Sequence, residues 1–200
     1  MPKIVLASAS VSRRRLLESA GLKPTIMVSH VDEETDFFNA MTPADMVIAL
    51  AITKAHTIRE QIDFPAIIIG CDSTFEFDSQ SLGKPETPEI AIERASRVRG
   101  NSGLLHTGHC IIDTTKDTEI SSIVTTKVTF DNMTDAEIAD YVATGEPLHV
   151  AGGFTLDGFS SPFIPSIEGD YTNVVGISMP FVRKAFEQLG YSWPEVKVMQ

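Results

Sequence analysis

The chain has 200 residues, of which 42% are apolar and 22% charged, and this composition predicts one globular domain spanning residues 1–200. Its formal net charge of -11 argues against binding to nucleic-acid polymers or anionic membranes, because the overall field repels polyanions. Since two cysteines give no disulfide framework and no apolar run approaches the ~20 residues that span a bilayer, we expect a cytoplasmic protein with reduced thiols.

Strands and helices are predicted to alternate along the whole chain. Short apolar runs predict strands, whereas apolar residues at helical spacing after a capping residue predict helices. In chain order the predicted elements are a strand at 3–7, a helix at 12–21, a strand at 25–34, a helix at 42–62, a strand at 66–73, a hairpin at 73–85, a helix at 87–100, strands at 104–113 and 120–130, a helix at 133–146, a mixed glycine-rich stretch at 151–176 and a helix at 178–190. This order predicts the α/β class with a mixed sheet.

The segment that links the first strand to the first helix concentrates hydrogen-bond donors. Three serines at alternate positions (8, 10 and 12) precede three consecutive arginines (13 to 15), and Ser10 or Ser12 is the predicted cap. A helix start offers free backbone N–H groups, and arginine forks match phosphate oxygens. Cations oppose the helix dipole at this end, which favours a bound anion. The alternative is a capped, solvated helix start with exposed arginines.

Carboxylates follow several predicted strands. Asp72 ends the most apolar strand, the acidic run 32–34 follows another, and Glu168 with Asp170 follows a third strand-like run. In α/β sheets ligands bind beyond the carboxyl ends of strands. If these groups converge, they suit Mg²⁺ shared with a polyphosphate and a base for an attacking water. Asp72 as a simple cap or turn residue is the alternative.

Two lysines and two histidines have less specific surroundings. Lys84 lies between a glycine and a proline, where either a phosphate contact or a plain turn fits. Lys54 follows an apolar helix face, and a surface lysine with a buried stem is the alternative to a phosphate ligand. His106 and His109 are three apart on a predicted strand, so they face opposite sides and do not predict a metal site.

Six motifs occur in an order that resembles one family. They are LASASVSRRRLLESAGL (6–22), VDE (31–33), TKAH (53–56), GCDSTFEFDSQSLGKP (70–85), YVATGEPLHVAGGFTLDGF (141–159) and IEGDYTNVVGISMP (167–180). Together they resemble the Maf-like nucleoside triphosphate pyrophosphatase family over nearly the whole chain. The resemblance implies hydrolysis of a nucleoside triphosphate to a monophosphate and pyrophosphate, with Mg²⁺ or Mn²⁺ as cofactor. This reaction would remove non-standard or surplus nucleotides. It also implies an elongated mixed sheet flanked by helices, with two lobes around a central cleft.

The resemblance also implies roles for individual residues at matching positions. The catalytic residues would be Asp72, Glu33 and Lys84. The phosphate-binding residues would be Ser8, Ser10, Arg13, Arg14, Lys54 and Lys84. The metal ligands would be Glu33, Asp72 and Glu168. The residues that select the nucleobase of the substrate would be Ser12, Ser73 and Asp157. These last three residues differ from those of the known branches of the family, so we assign no particular nucleobase. An ionised Asp157 suits a nucleobase edge that is rich in hydrogen-bond donors.

Other functions stay open at this point. A nucleotide-binding regulator of cell division or septum formation with little or no turnover would use the same loop and carboxylates. A phosphatase that releases orthophosphate stepwise, or a purely structural domain, would also fit single motifs. Family members often form homodimers, although no exposed apolar stripe in this sequence predicts an interface.

Overall fold

A mixed sheet of seven strands forms the centre of the protein in a computed structural model that describes residues 2–197. The strands are β1 (Lys3–Leu6), β2 (Thr25–Ile26), β3 (Ala66–Phe77), β4 (Gln80–Leu82), β5 (Ser102–Asp113), β6 (Thr118–Thr129) and β7 (Ser166–Glu168). Their order is β2-β1-β3-β5-β6-β7, and β4 pairs with β3. Strand β1 runs parallel to β2 and β3, and the other pairs are antiparallel.

Helices cover both faces of this sheet. The α-helices of the described residues are α1 (Val11–Ser19), α2 (Asp36–Asn39), α3 (Pro43–Gln61), α4 (Pro88–Val98), α5 (Asp135–Ala143), α6 (Tyr171–Val175), α7 (Met179–Gln188) and α8 (Trp193–Val196). Short 3-10 helices follow α5 at Glu146–His149, Ala151–Gly153 and Ser161–Phe163. In the described part of the chain, no helix combines the length and the apolar character needed to cross a membrane.

Alternation along β3 separates two helix layers. Ile67 and Ile69 face α1 and α7, where they pack with Leu17 and Phe186, whereas Ile68 faces α3. Both faces are therefore apolar, as expected for a strand that is covered on both sides. A second apolar core lies at the far end of β3 and holds the rings of Phe75, Phe130 and Phe154, whose centroids are 4.9–5.6 Å apart.

Helix α3 packs directly on the backbone of β3 at Gly70. A Cβ at this position would collide with the Ala51 carbonyl oxygen and lie 2.9 Å from Ala55 Cβ. Only glycine lets α3 approach β3 this closely, and this approach sets the height of the α3 side chains above the strand.

The predicted α/β class and mixed sheet are confirmed, and so are most of the predicted elements. The predicted helix caps Ser10, Thr42, Thr87 and Thr134 each accept a backbone N–H bond in the first turn. Three short helices, α2, α6 and α8, were not predicted. The ends of the predicted domain at residue 1 and residues 198–200 lie outside the described residues.

Two strand predictions are wrong in length. The strand predicted at 25–34 covers only Thr25–Ile26, because its neighbour β1 ends at Leu6 and leaves later residues without a partner. The strand predicted at 66–73 continues to Phe77, because β5 pairs with it from Ile67 to Glu76. The predicted hairpin then turns at Asp78 and Ser79, which have φ values of 51° and 61°.

Candidate active site

One edge of β3 is left open between two neighbouring strands. Strand β1 ends opposite Ile69, and β4 begins its pairing with β3 at Phe75. Residues 70–74 therefore have a strand partner only on the β5 side. We call this gap the β3 notch. The loop that leaves β1 (residues 7–10) and the loop that leaves β4 (residues 83–86) both run towards it.

Asp72 lies in the notch and not at a strand end. The prediction that Asp72 ends its strand is wrong, since β3 continues for five more residues, to Phe77. What ends near Asp72 is the neighbouring strand β1, so the side chain still lies beside the carboxyl end of a parallel strand.

A buried lysine joins two of the predicted site carboxylates. Lys54 on α3 is 6% exposed, and its Nζ lies 2.6 Å from Asp72 Oδ1 and 2.7 Å from Glu33 Oε1. The side chain of Asp72 is nearly buried, whereas that of Glu33 is half exposed. Burial raises the pKa of Asp72, and the positive charges of Lys54 and Arg13 oppose this rise.

Arg13 organises the opposite face of the same strand edge. It is 9% exposed, and its Nε donates to the Gly176 carbonyl oxygen at 2.8 Å. Its Nη1 donates to Ser8 Oγ at 3.1 Å and its Nη2 to Ser73 Oγ at 2.9 Å. A guanidinium carries five N–H donors. These contacts therefore orient the group and leave donors for an anion in the notch.

The serines of the first loop support the start of α1. Ser10 Oγ caps the helix by accepting the Arg13 N–H at 3.3 Å, and Ser8 Oγ accepts the Ser10 N–H at 3.2 Å. Ser12 is half-buried in the first turn. Arg14 is exposed and pairs with Glu18 at 2.8 Å, one helical turn further on. Of the two arginines predicted to bind phosphate, only Arg13 thus makes contacts with other predicted site residues.

Within the described residues, three predicted site residues form no hydrogen bond or ion pair with this cluster. Lys84 is exposed on the loop that leaves β4, and Asp157 is exposed on the loop after the second core. Glu168 on β7 pairs with Lys127 at 2.8 Å. In the strand register, Glu168 lies three strands away from Asp72 and four residues further along the strand direction. This offset separates the two Cα atoms by on the order of 20 Å. The structure does not bring Glu168 together with Glu33 and Asp72.

The carboxylates that do converge fit a divalent cation shared with a substrate. In the described residues no group of three or more His, Cys, Asp or Glu side chains is arranged to hold a metal. Mg²⁺, however, is usually held by one or two carboxylates together with substrate phosphates. Glu33 and Asp72, which meet at Lys54, are a donor set of this kind.

Sequence reasoning missed the polar chain behind Ser73. Thr107 Oγ1 lies 3.0 Å from Ser73 Oγ and donates to the Asn173 carbonyl oxygen at 3.2 Å. Further along β5, His109 Nε2 accepts the Ser178 N–H at 2.8 Å, and burial lowers the pKa of this imidazole to about 4. The signal was present in the sequence: Thr107 and His109 interrupt a buried strand at alternate positions, on the face that carries Ile111.

Burial also determines the state of the nearby thiol. Cys71 is fully buried beside Asp72, and burial raises its pKa to about 11. The thiol therefore stays protonated at neutral pH and packs as a small apolar side chain.

Comparisons with known proteins find similar sequences over nearly the whole chain. A family model described as Maf-like protein matches residues 3–189. A nucleoside triphosphate pyrophosphatase of Streptomyces coelicolor is 49% identical over 189 residues, which cover 94% of this chain and 91% of that protein. A nucleoside triphosphate pyrophosphatase of Thermosynechococcus vestitus is 43% identical over 197 residues, which cover 98% of both chains. A solved nucleoside-triphosphatase / dITP/XTP pyrophosphatase of Mycobacterium abscessus aligns over 94% of both chains with 10% identity and a TM-score of 0.41.

Proposed function

Because this chain belongs to the Maf-like protein family, we propose that it hydrolyses nucleoside triphosphates to nucleoside monophosphate and pyrophosphate. The observation that carries the proposal is the Lys54–Asp72 pair in the β3 notch, at 2.6 Å, with the Arg13 guanidinium held at the same strand edge. A buried base beside fixed cations suits attack on a polyanion. The pool acted on would be cytoplasmic, and its non-standard or surplus nucleotides would be removed.

The phosphates would be held by donors on both sides of the notch. Ser8, Ser10 and the start of α1 border it on one side, and Lys84 would reach it from the loop that leaves β4 on the other. Arg13 and Lys54 supply charge from opposite faces of the sheet. Arg14 would have to leave Glu18 before it could bind a phosphate, so it would contribute less to phosphate binding than the other residues.

Asp72 would act as the general base. Lys54 engages Oδ1, so Oδ2 is the atom that would take the proton from water. That water would attack the α-phosphorus, and the bond from this phosphorus to the bridging oxygen would break, releasing pyrophosphate. Lys54, Lys84 and Arg13 would stabilise the charge on the leaving group, so most of the rate gain would come from positioning and electrostatics.

A divalent cation, Mg²⁺ or Mn²⁺, would neutralise charge on the phosphate oxygens when bound. Glu33 and Asp72 are the residues that would hold it, and the position of Glu168 gives that residue no part in this set. Two points stay predictions. One is that Ser12, Ser73 and Asp157 select the nucleobase of the substrate, and the other is that the protein assembles as a homodimer.

A product assay tests the proposed function. The protein would be incubated with Mg²⁺ or Mn²⁺ and a panel of standard and methylated nucleoside triphosphates, and the products separated by ion exchange. Monophosphate and pyrophosphate in equal amounts would support the proposal. Orthophosphate would indicate a stepwise phosphatase instead, and binding without turnover would favour a nucleotide-binding regulator. The preferred substrate would identify the base, and light scattering would give the oligomeric state.

A further inference from the structure

The ammonium group that should bind phosphate is already occupied. Lys54 Nζ contacts Asp72 Oδ1 at 2.6 Å and Glu33 Oε1 at 2.7 Å, so one positive charge lies between two negative charges. The three side chains together carry a net charge of about -1 when all are ionised. Both contacts are short ion pairs, and only the contact to Asp72 is also a charge-assisted hydrogen bond. On the α3 face of the sheet, a polyphosphate that approaches this group without a cation therefore meets an excess of negative charge, whereas the charge of Arg13 lies on the opposite face.

The two carboxylates are not equivalent. Asp72 is fixed in the middle of β3 and its side chain is only 11% exposed. Glu33 is 50% exposed and lies in the segment between β2 and α2, which forms neither helix nor strand. Moving Glu33 away from Lys54 transfers its carboxylate to water at little cost, whereas Asp72 has no such path. Glu33 is therefore the partner that Lys54 exchanges.

We propose that Glu33 occupies the phosphate position on Lys54 and so restricts the notch to the metal complex of its nucleotide. This inference rests on the proposed function and specifies the form of its substrate. When a phosphate oxygen takes the place of Glu33 on Lys54, the released carboxylate is left beside Asp72 and needs a cation. A nucleotide that arrives with its divalent cation supplies one. A metal-free nucleotide does not, and it is excluded by repulsion between like charges.

Binding of inorganic pyrophosphate without metal tests this inference. Titration calorimetry in EDTA compares the wild type with Glu33→Gln, which keeps the size of the side chain but removes its charge. Glu34→Gln is the matched control, because Glu34 is an exposed neighbour that forms no ion pair within the described residues. We expect Glu33→Gln to bind metal-free pyrophosphate at least about tenfold more tightly than the wild type, and Glu34→Gln to match the wild type.

The outcomes separate this inference from the proposed function. Equal affinity of the wild type and Glu33→Gln, or no binding by either, would overturn the inference, whether or not the wild type hydrolyses nucleoside triphosphates. A gain in Glu33→Gln with no hydrolysis by the wild type would overturn the function and leave the exchange at Lys54 standing. Melting curves of Glu33→Gln and of a second variant, Glu33→Ala, show that each gain comes from a folded protein.

Discussion

Asp72 and Ser73 are consecutive residues of β3, yet their side chains reach opposite faces of the sheet. Asp72 accepts a hydrogen bond from Lys54 on the α3 side, and Ser73 accepts one from Arg13 on the α1 side. Because side chains alternate along a strand, one open strand edge collects groups from two helix layers. The site therefore depends on the gap between β1 and β4 as much as on any single side chain.

Replacement of Asp72 by Asn should remove the proposed base and keep the shape of the side chain. We expect Asp72→Asn to lower kcat for nucleoside triphosphate hydrolysis by about 10³-fold, because an amide cannot accept the proton of the attacking water. Far-ultraviolet circular dichroism should remain unchanged. Asp63→Asn, at an exposed position outside the notch, is the control and should keep full activity. Wild-type turnover by Asp72→Asn would contradict the assignment.

The acidic limb of the pH profile should reflect the same carboxyl group. Burial raises the pKa of Asp72 above the ordinary value of 3.8. Below this raised pKa the carboxyl group is protonated and cannot act as a base. As the pH is lowered, kcat/KM should therefore begin to fall at a pH above 3.8. The measurement is kcat/KM against pH at limiting Mg²⁺, because a cation bound to Asp72 would itself lower this pKa. A limb at or below 3.8 would show that Asp72 is not the group whose ionisation limits the reaction.

Removal of Lys54 should destabilise the fold. Without the ammonium, Asp72 and Glu33 are left as neighbouring carboxylates, one of them buried. We expect Lys54→Met to lower the free energy of unfolding by about 3 kcal/mol, the usual cost of breaking a buried ion pair. Urea unfolding at pH 7 gives this value. The double variant Lys54→Met/Asp72→Asn should recover part of the loss, and no recovery would argue that packing, and not charge, causes it.

Local signals predicted the helix starts, because a cap needs only residues that are close in sequence. Thr134 and Glu137 form their capping box as expected, with bonds of 2.7–3.3 Å. Strand ends were not predicted well, because the length of a strand depends on its neighbours. The failure at 25–34 and the misplaced end at Asp72 both follow from where β1 stops and β5 continues.

Convergence of the site could be predicted only in part for the same reason. Lys54 and Asp72 meet because α3 packs on β3 at Gly70, a contact that no local pattern shows. The motif that contains Glu168 suggests that this residue binds the metal, but the register of β6 and β7 places it beside Lys127 instead. The resemblance assigned roles to single residues, whereas their distances are set by sheet register and helix packing.

The contact at Gly70 leads to a stability prediction. Gly70→Ala should destabilise the protein by about 3 kcal/mol, because the new Cβ collides with the Ala51 carbonyl oxygen and α3 must move away from the sheet. Activity should fall as well, since Lys54 moves with α3. Gly83→Ala is the matched control: no heavy atom of the described residues lies within 4 Å of its added Cβ. Chemical unfolding of both variants checks the difference, and equal stability would contradict the close approach.

His109 should make the stability of the protein depend on pH. Its imidazole is buried, and its Nε2 accepts the Ser178 N–H, so the folded state holds it neutral with a pKa of about 4 against 6.5 in the unfolded chain. Because the folded pKa is the lower one, the stability is present above pH 6.5 and is lost as the pH falls towards 4. The loss at pH 4 should reach about 3 kcal/mol.

A variant that cannot titrate isolates this effect. In His109→Gln the side-chain oxygen can still accept the Ser178 N–H, but the residue binds no proton, so the free energy of unfolding should vary less between pH 6.5 and 4. Urea unfolding at several pH values gives the slope, which is independent of any constant packing cost of the substitution. His149→Gln, at an exposed position, should keep the wild-type slope. If His109→Gln also keeps it, another buried group must bind the proton on unfolding, and the neutral imidazole under α7 is not the source of acid sensitivity.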